Sequence, residues 1–262
     1  MKKLVKYLLL CVMTISMLGC AKNEDNKDLL ETIQERGTII VATEGTWSPW
    51  TYHDENDNLV GFDVEVMEAI AQKLGVECEF VVAEWDSLLA GVDSGRFDLV
   101  ANGVEIDEDR KAKYDFTNPY GYIRTALIVT KDNDTIQTFE DLDGKTTTNS
   151  LGSTYAKLAE SYGATNTAVD DLNKTFELVL QGRVDATLNA ELSFYDYLKA
   201  HPEANLEVVD LTEEASHVAL PLRKENTASL IEAINKAIDE LSAEGKLTEI
   251  SNKYFGTDIT QQ

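Results

Sequence analysis

The chain alternates short apolar runs with helical stretches that keep one apolar face. Residues 39–42 are an apolar run of strand type. Phe62, Val66, Ile70 and Leu74 then recur every four residues, with Lys73 near the end and Gly75 just past it. That spacing predicts a helix with one buried stripe and a glycine stop. Residues 76–82 read as a strand, and Asp86 is placed to cap a helix carrying Leu88, Leu89 and Val92 that stops at Gly95. Residues 97–101 are a further apolar run, read as a buried strand. Strands alternating with helices predict an α/β layer with a largely parallel sheet, and ligands of such sheets sit beyond the carboxyl ends of the strands. The loop around Trp47, the residue Trp85 and the turn at Asn102 all fall at such ends.

After an apolar run at 122–130 and a break at Asp132-Asn133-Asp134, the pattern starts again. Residues 141–145 read as a turn and 146–149 as a strand, and Leu151-Gly152-Ser153-Thr154 opens a helix reaching about Tyr162. A strand at 167–169, a helix at 171–180, a strand at 184–189, a helix at 191–200 and a strand at 206–209 follow. Residues 216–222 are a second apolar run able to cross back, and helices at 228–241 and 247–255 close the chain. No internal repeat is visible.

At 262 residues, the chain can hold one large domain or two ordinary ones, and 43% hydrophobic with 27% charged residues is a globular composition. The net charge of −24 argues against a nucleic-acid partner and against a membrane held by a basic patch. The first residues change the picture locally. Lys2, Lys3 and Lys6 precede an apolar stretch at 7–18, too short to span a bilayer, which reads as a signal peptide over 1–19. Met17-Leu18-Gly19-Cys20 resembles a lipobox, whose Cys20 would carry lipid, although plain secretory cleavage nearby fits as well. Loss of residues 1–19 removes three lysines and no acid, leaving −27. Residues 20–36 would then be a tether. Cys11 leaves with the signal and Cys20 carries the lipid, so Cys78 has no intramolecular disulfide partner. It sits between two glutamates in an alternating strand, which suits a buried thiol rather than a nucleophile. His53, His201 and His217 are scattered, no zinc spacing occurs, and no cofactor is expected.

Candidate chemistry gathers where strands end. The loop Thr43-Glu44-Gly45-Thr46-Trp47-Ser48-Pro49-Trp50 is rich in turn formers and aromatics. Its tryptophans are expected either exposed as a binding wall or laid over one end of the sheet. The stretch from Asn102 to Tyr120 joins a flexible Gly103, an acidic helix start at Asp107-Glu108-Asp109, and Arg110, whose five donors match a carboxylate. Taken alone, it reads first as a solvated helix start.

That stretch, ending in Phe116-Thr117-Asn118-Pro119-Tyr120, resembles the ligand clasp of the type II extracellular solute-binding proteins of amino-acid ABC transporters, bacterial solute-binding protein family 3. Gly61-Phe62-Asp63-Val64-Glu65-Val66 is similar to the family signature, and Glu244-Gly245-Lys246-Leu247 with Lys253-Tyr254-Phe255-Gly256 is a third match, in the family order. Trp85-Asp86-Ser87-Leu88-Leu89-Ala90-Gly91 and Ser150-Leu151-Gly152-Ser153 resemble the cystine-type binders. The resemblance runs from about Leu29 to the end. It implies two α/β lobes with central mixed sheets, joined by crossing strands near 123–129 and 217–222. Lobe 1 would be discontinuous, 37–125 with 219–262, and lobe 2 would span 126–218.

The resemblance also implies a site and a setting. A monomeric receptor outside the cytoplasm, anchored through Cys20, would deliver a polar amino acid, cystine first, to ABC permease subunits. Arg110 would pair with the α-carboxylate, helped by N–H groups of Glu105 and of Ser153 and Thr154 at their helix start. Trp47, Trp50 and Trp85 would wall the side chain, with Glu44, Gly103 and Asn189 also on the cleft. Two positions depart from the pattern: Glu105 stands where Ser or Thr is usual, and Ala190 where an Asp usually pairs with the ligand ammonium. The simplest reading is an exchange, with the anion moved from lobe 2 to lobe 1; Glu191 is a rival, better suited to its own helix start. A different class stays open. Some proteins on this scaffold resemble cyclohexadienyl dehydratases, and a desolvated Glu105 could serve as a general acid there.

Overall fold

The computed structural model describes residues 27–262, so the signal peptide and Cys20 lie outside the described residues. Helix α1 (Leu29–Arg36) comes first, capped by the Asp28 carboxylate on Glu31 N–H. Leu29 and Ile33 are buried at 3% and 0% exposure, so 29–36 is part of the folded core and the tether cannot extend to residue 36. Strand β1 (Thr38–Thr43) follows, then a small meander of β2 (Thr46–Trp47), β3 (Thr51–His53) and β4 (Leu59–Val60). Helix α2 (Phe62–Leu74) keeps its four-residue stripe: Phe62, Val66 and Ile70 are fully buried, each worth about 1.5–3 kcal/mol. It packs against the two C-terminal helices, α8 (Ala228–Ala243) and α9 (Lys246–Phe255).

β5 (Glu77–Val82) and β6 (Leu99–Val100) pair with β1 in parallel on its two sides. β6 is shorter than the apolar run 97–101, although the N–H groups of Asp98 and Ala101 on its flanks also donate to the β1 carbonyls of Ile40 and Ala42. Helix α3 (Trp85–Asp93) starts one residue before Asp86, with Glu84 at the cap position and no side-chain capping bond; Trp85 thus lies in the first turn. Cys78 is half-buried, its Sγ 3.4 Å from the Met67 carbonyl oxygen, and burial with the nearby Glu68 charge pushes the thiol up to about 12. Helix α4 (Glu108–Lys113) and strands β7 (Tyr114–Phe116) and β8 (Gly121–Ile123) lead to the crossing.

The crossing expected as one strand is two, β8 and β9 (Thr125–Thr130), interrupted at Arg124. β9 is the centre of the second lobe's sheet, antiparallel to β12 (Thr187–Ala190) and to β13 (Leu206–Leu211), which carries a bulge between Val208 and Asp210. β10 (Thr146–Asn149) and β11 (Thr165–Ala168) form a parallel pair. An isolated bridge, Thr147 to Ala186, helps tie them to the rest. This explains why β12 begins three residues later than the run 184–189: residues 185 and 186 bond to Thr146 before the chain reaches β9. Helices α5 (Thr154–Ser161), α6 (Leu172–Leu180) and α7 (Glu191–Ala200) cover this lobe. The return run also splits, into β14 (Ser216–Val218) on β8 and β15 (Pro221–Arg223) on β7. Among the described residues no helix is long and apolar enough to cross a membrane.

Candidate functional site

The site grows from the ends of β1 and β6. Asn102, just past β6, is fully buried; its Oδ1 accepts from Glu44 N at 2.8 Å and from Thr43 Oγ1 at 3.1 Å. Its Nδ2 donates to Glu44 Oε2 at 2.5 Å, so one amide fixes both backbone and carboxylate of Glu44. Burial pushes the Glu44 carboxyl up to about 7, aided by the charges of Asp170 and Asp171 and opposed by Asn102. Gly103 follows at φ +56, and a Cβ there would sit 2.6 Å from the Trp47 ring, so only glycine fits the turn. Its N–H donates to Asp63, whose other oxygen accepts from Tyr120 at 2.8 Å.

Arg110 is 4% exposed. The Asp107 carboxylate caps α4 on Arg110 N–H at 2.7 Å and lies 3.5 Å from its Nε. Nη1 donates to the Glu105 carbonyl at 2.8 Å, Nη2 reaches the Gly152 carbonyl of the other lobe at 3.4 Å, and the guanidinium stacks 5.2 Å from the Trp85 ring. Burial lowers its pKa, offset mainly by Asp107 and Glu105, and a guanidinium stays charged throughout. From lobe 2, Thr154 Oγ1 donates to Glu105 Oε1 at 2.7 Å, and Ser153 caps α5 on Ala156 N–H. Lys157 reaches across to Asp107 and Asp109.

The lobes also touch behind the cleft. Trp47 Nε1 donates to Asn189 Oδ1 at 3.2 Å, Trp50 Nε1 to Ser193 Oγ at 3.1 Å, and Ser48 to Asp196 at 2.8 Å. Between the lobes lies a cleft of about 560 Å³. The structure brings Glu44, Trp47, Trp85, Gly103, Glu105, Arg110, Ser153, Thr154 and Asn189 together on it. Trp50 and Ala190 are not on its wall. Trp50 is fully buried, stacked 5.4 Å behind Trp47, so this tryptophan covers the core while its neighbour forms the wall. Ala190 is 1% exposed, and Glu191 pairs with Arg124 at 2.9 Å rather than entering the cleft. The sequence points to the turn at Asn102 without assigning its side chain, and it does not point to Asn149, Tyr155 or Asp170. Asn102 and Asn149 each end a strand, which was a usable signal; Tyr155 and Asp170 have none in the local pattern.

One end of the cleft presents a buried guanidinium and the facing side carboxylates, on two lobes that touch around it. That arrangement defines a two-lobed receptor for a small polar solute. The profile of bacterial extracellular solute-binding proteins, family 3, matches residues 39–257, and the chain belongs to this family. It is 37% identical over 270 residues, all of both chains, to the L-cystine-binding protein TcyA of Bacillus subtilis. Among solved structures, an ancestral arginine-binding protein bound to arginine superposes with a TM-score of 0.79 at 38% identity, covering 84% of this chain and 99% of that one. The L-cystine solute receptor of Neisseria gonorrhoeae, in its unliganded open conformation, gives 0.60 at 39% identity, covering 90% of this chain and all of that one. Identity being equal, the higher score with the ligand-bound relative accords with lobes that meet here.

Proposed function

We propose that this chain is the substrate receptor of an ABC importer for a polar amino acid, L-cystine first. One observation carries the reading: Arg110 is buried in the cleft with Glu105 beside it, so a carboxylate and an ammonium on one carbon each meet an opposite charge. The cystine-binding relative supports the ligand. Glu105 takes the ammonium in place of the missing acid at Ala190, a buried position next to the cleft residue Asn189. Lobe 2 contributes Ser153 and Thr154 at the start of α5, and ligand contacts on both lobes favour closure by differential affinity. Cys20 anchors the protein to the outer face of the membrane, and permease subunits recognise the closed form. The chain binds its solute and performs no chemistry on it. Calorimetric titration of the purified protein with L-cystine tests the reading, and one-to-one binding is expected. Steady turnover of prephenate or arogenate, with no amino acid bound, would replace it by the dehydratase reading.

A further inference from the structure

Lys157 stands on lobe 2, but its charge is spent on lobe 1. It is the fourth residue of α5, and its Nζ lies 3.1 Å from Asp107 Oδ2 and 3.0 Å from Asp109 Oδ2. Its own helix offers Glu160 three positions on, a spacing that suits an ion pair, yet the ammonium is set against the other lobe. Three positions earlier, Thr154 Oγ1 donates to Glu105 Oε1 at 2.7 Å. One turn of α5 therefore grips residues 105–109 of lobe 1 at two points.

Asp107 ties this grip to the cleft. Its Oδ1 accepts from Arg110 N–H at 2.7 Å, and its Oδ2 lies between two cations, 3.5 Å from Arg110 Nε of lobe 1 and 3.1 Å from Lys157 Nζ of lobe 2. Burial pushes the Asp107 carboxyl up, but the bonds from Arg110 N–H and Lys157 and the charge of Arg110 outweigh it and hold the group below its ordinary value, so it is ionised at neutral pH. Asp107, Glu108 and Asp109 follow one another on this edge, and of the lysines there Lys111 is engaged by Glu108. The donors that join the lobes behind the cleft, Trp47, Trp50 and Ser48, are neutral. An exposed ion pair usually contributes little, because water competes and two side chains must be ordered. Here one ammonium serves two carboxylates, and the Asp107 side chain is only 23% exposed. The attraction exists only while the lobes meet, so its whole effect falls on closure.

We propose that Lys157 is a cross-lobe latch: its ammonium, set on Asp107 and Asp109, favours the closed state and steadies the acid that positions Arg110. What closure serves rests on the receptor reading above. The test compares the wild type with Lys157→Met, which keeps the stem and removes the charge, and with Lys157→Arg, which keeps the charge. Single-molecule energy transfer between one dye on each lobe reads the closed-to-open odds of the empty protein, and calorimetry with L-cystine reads affinity. At about 0.02 M salt, Lys157→Met should lower the odds about fivefold and weaken binding in proportion to the closed fraction lost, while Lys157→Arg should stay within about twofold of the wild type. At about 0.5 M salt the gap between the wild type and Lys157→Met should narrow, since partly exposed charges are then screened. Equal odds and equal affinity in all three proteins overturn the latch and leave the receptor reading intact. A gap that salt does not change, or an arginine variant no better than the methionine one, assigns the effect to packing of the stem and overturns it too. A gap in closure with none in affinity overturns the link to binding. Failure of the wild type to bind any amino acid, with the gap in closure intact, removes the receptor reading and leaves the latch standing.

Discussion

Lobe 1 and lobe 2 offer polar groups to the same cleft in opposite states of satisfaction. On lobe 1 the amide of Asn102 is held on both sides, Gly103 N–H is held by Asp63, and Arg110 is held by Glu105 and Asp107. On lobe 2 the position differs. The five buried side-chain atoms without a well-formed hydrogen bond among the described residues all lie from Thr147 to Asp170, Tyr155 OH being near Glu105. A wall that is already satisfied is a fixed frame; a wall with orphan acceptors gains free energy only from what it closes upon. On the proposed receptor reading this difference divides the labour: lobe 1 would preorganise, and lobe 2 would supply the part of the affinity that depends on closure.

The sharpest way to break this comparison is to remove the frame. Arg110→Ala should cost at least about 2 kcal/mol of amino-acid affinity by calorimetry, because a charged ligand group is left unpaired in a buried cleft. Arg110→Lys should not restore it, since the fork that spans the cleft is lost. Unchanged affinity in the alanine variant moves the site elsewhere. A smaller effect probes whether the ammonium partner changed lobes. Glu105→Thr should weaken binding about tenfold or more, Ala190→Asp alone should help little, and the pair should recover much of the loss. Simple additivity of the two means no exchange occurred.

Protonation sharpens the picture of lobe 1. The Glu44 carboxyl stands at about 7 in the folded protein against an ordinary 4.5. Between those values the folded protein holds a proton that the unfolded chain has released. The stability this group contributes is thus present below its unfolded pKa and lost as pH rises through the folded one. Asp63, raised by burial to about 7, acts in the same direction. Urea unfolding between about pH 5 and 8 should therefore show stability falling with pH, and falling less in Glu44→Gln. An identical slope in the variant means that Glu44 titrates normally. The smallest effect concerns lobe 2. Thr147 Oγ1 is buried, unpaired and off the cleft wall. Thr147→Val should leave stability unchanged or raise it by up to about 1 kcal/mol, since an unsatisfied hydroxyl gives way to a methyl of the same shape. A loss of more than that shows that the hydroxyl has a partner and weakens the contrast between the lobes.

Much of this was present in local order along the chain. The stripe Phe62, Val66, Ile70 needs only helical periodicity, and Arg110 with its Asp107 cap lies within one turn of helix, so neighbours in sequence decide both. The strand ends that carry Glu44 and Asn102 follow from short apolar runs. Other outcomes depend on partners far along the chain. Trp47 and Trp50 occupy one loop with the same side chain, and distant partners separate them: Asn189 accepts from Trp47 at the wall, while Ser193, Phe62 and Phe255 hold Trp50 in the core. Helix α1 was read as tether because eight residues with two buried apolar side chains carry too weak a stripe, until the rest of lobe 1 covers Leu29 and Ile33. The orphaned state of Asn149 and Asp170 was illegible for the same reason. Whether a polar atom finds a partner is a property of every chain segment that reaches it, and those segments are assembled only when the two lobes meet.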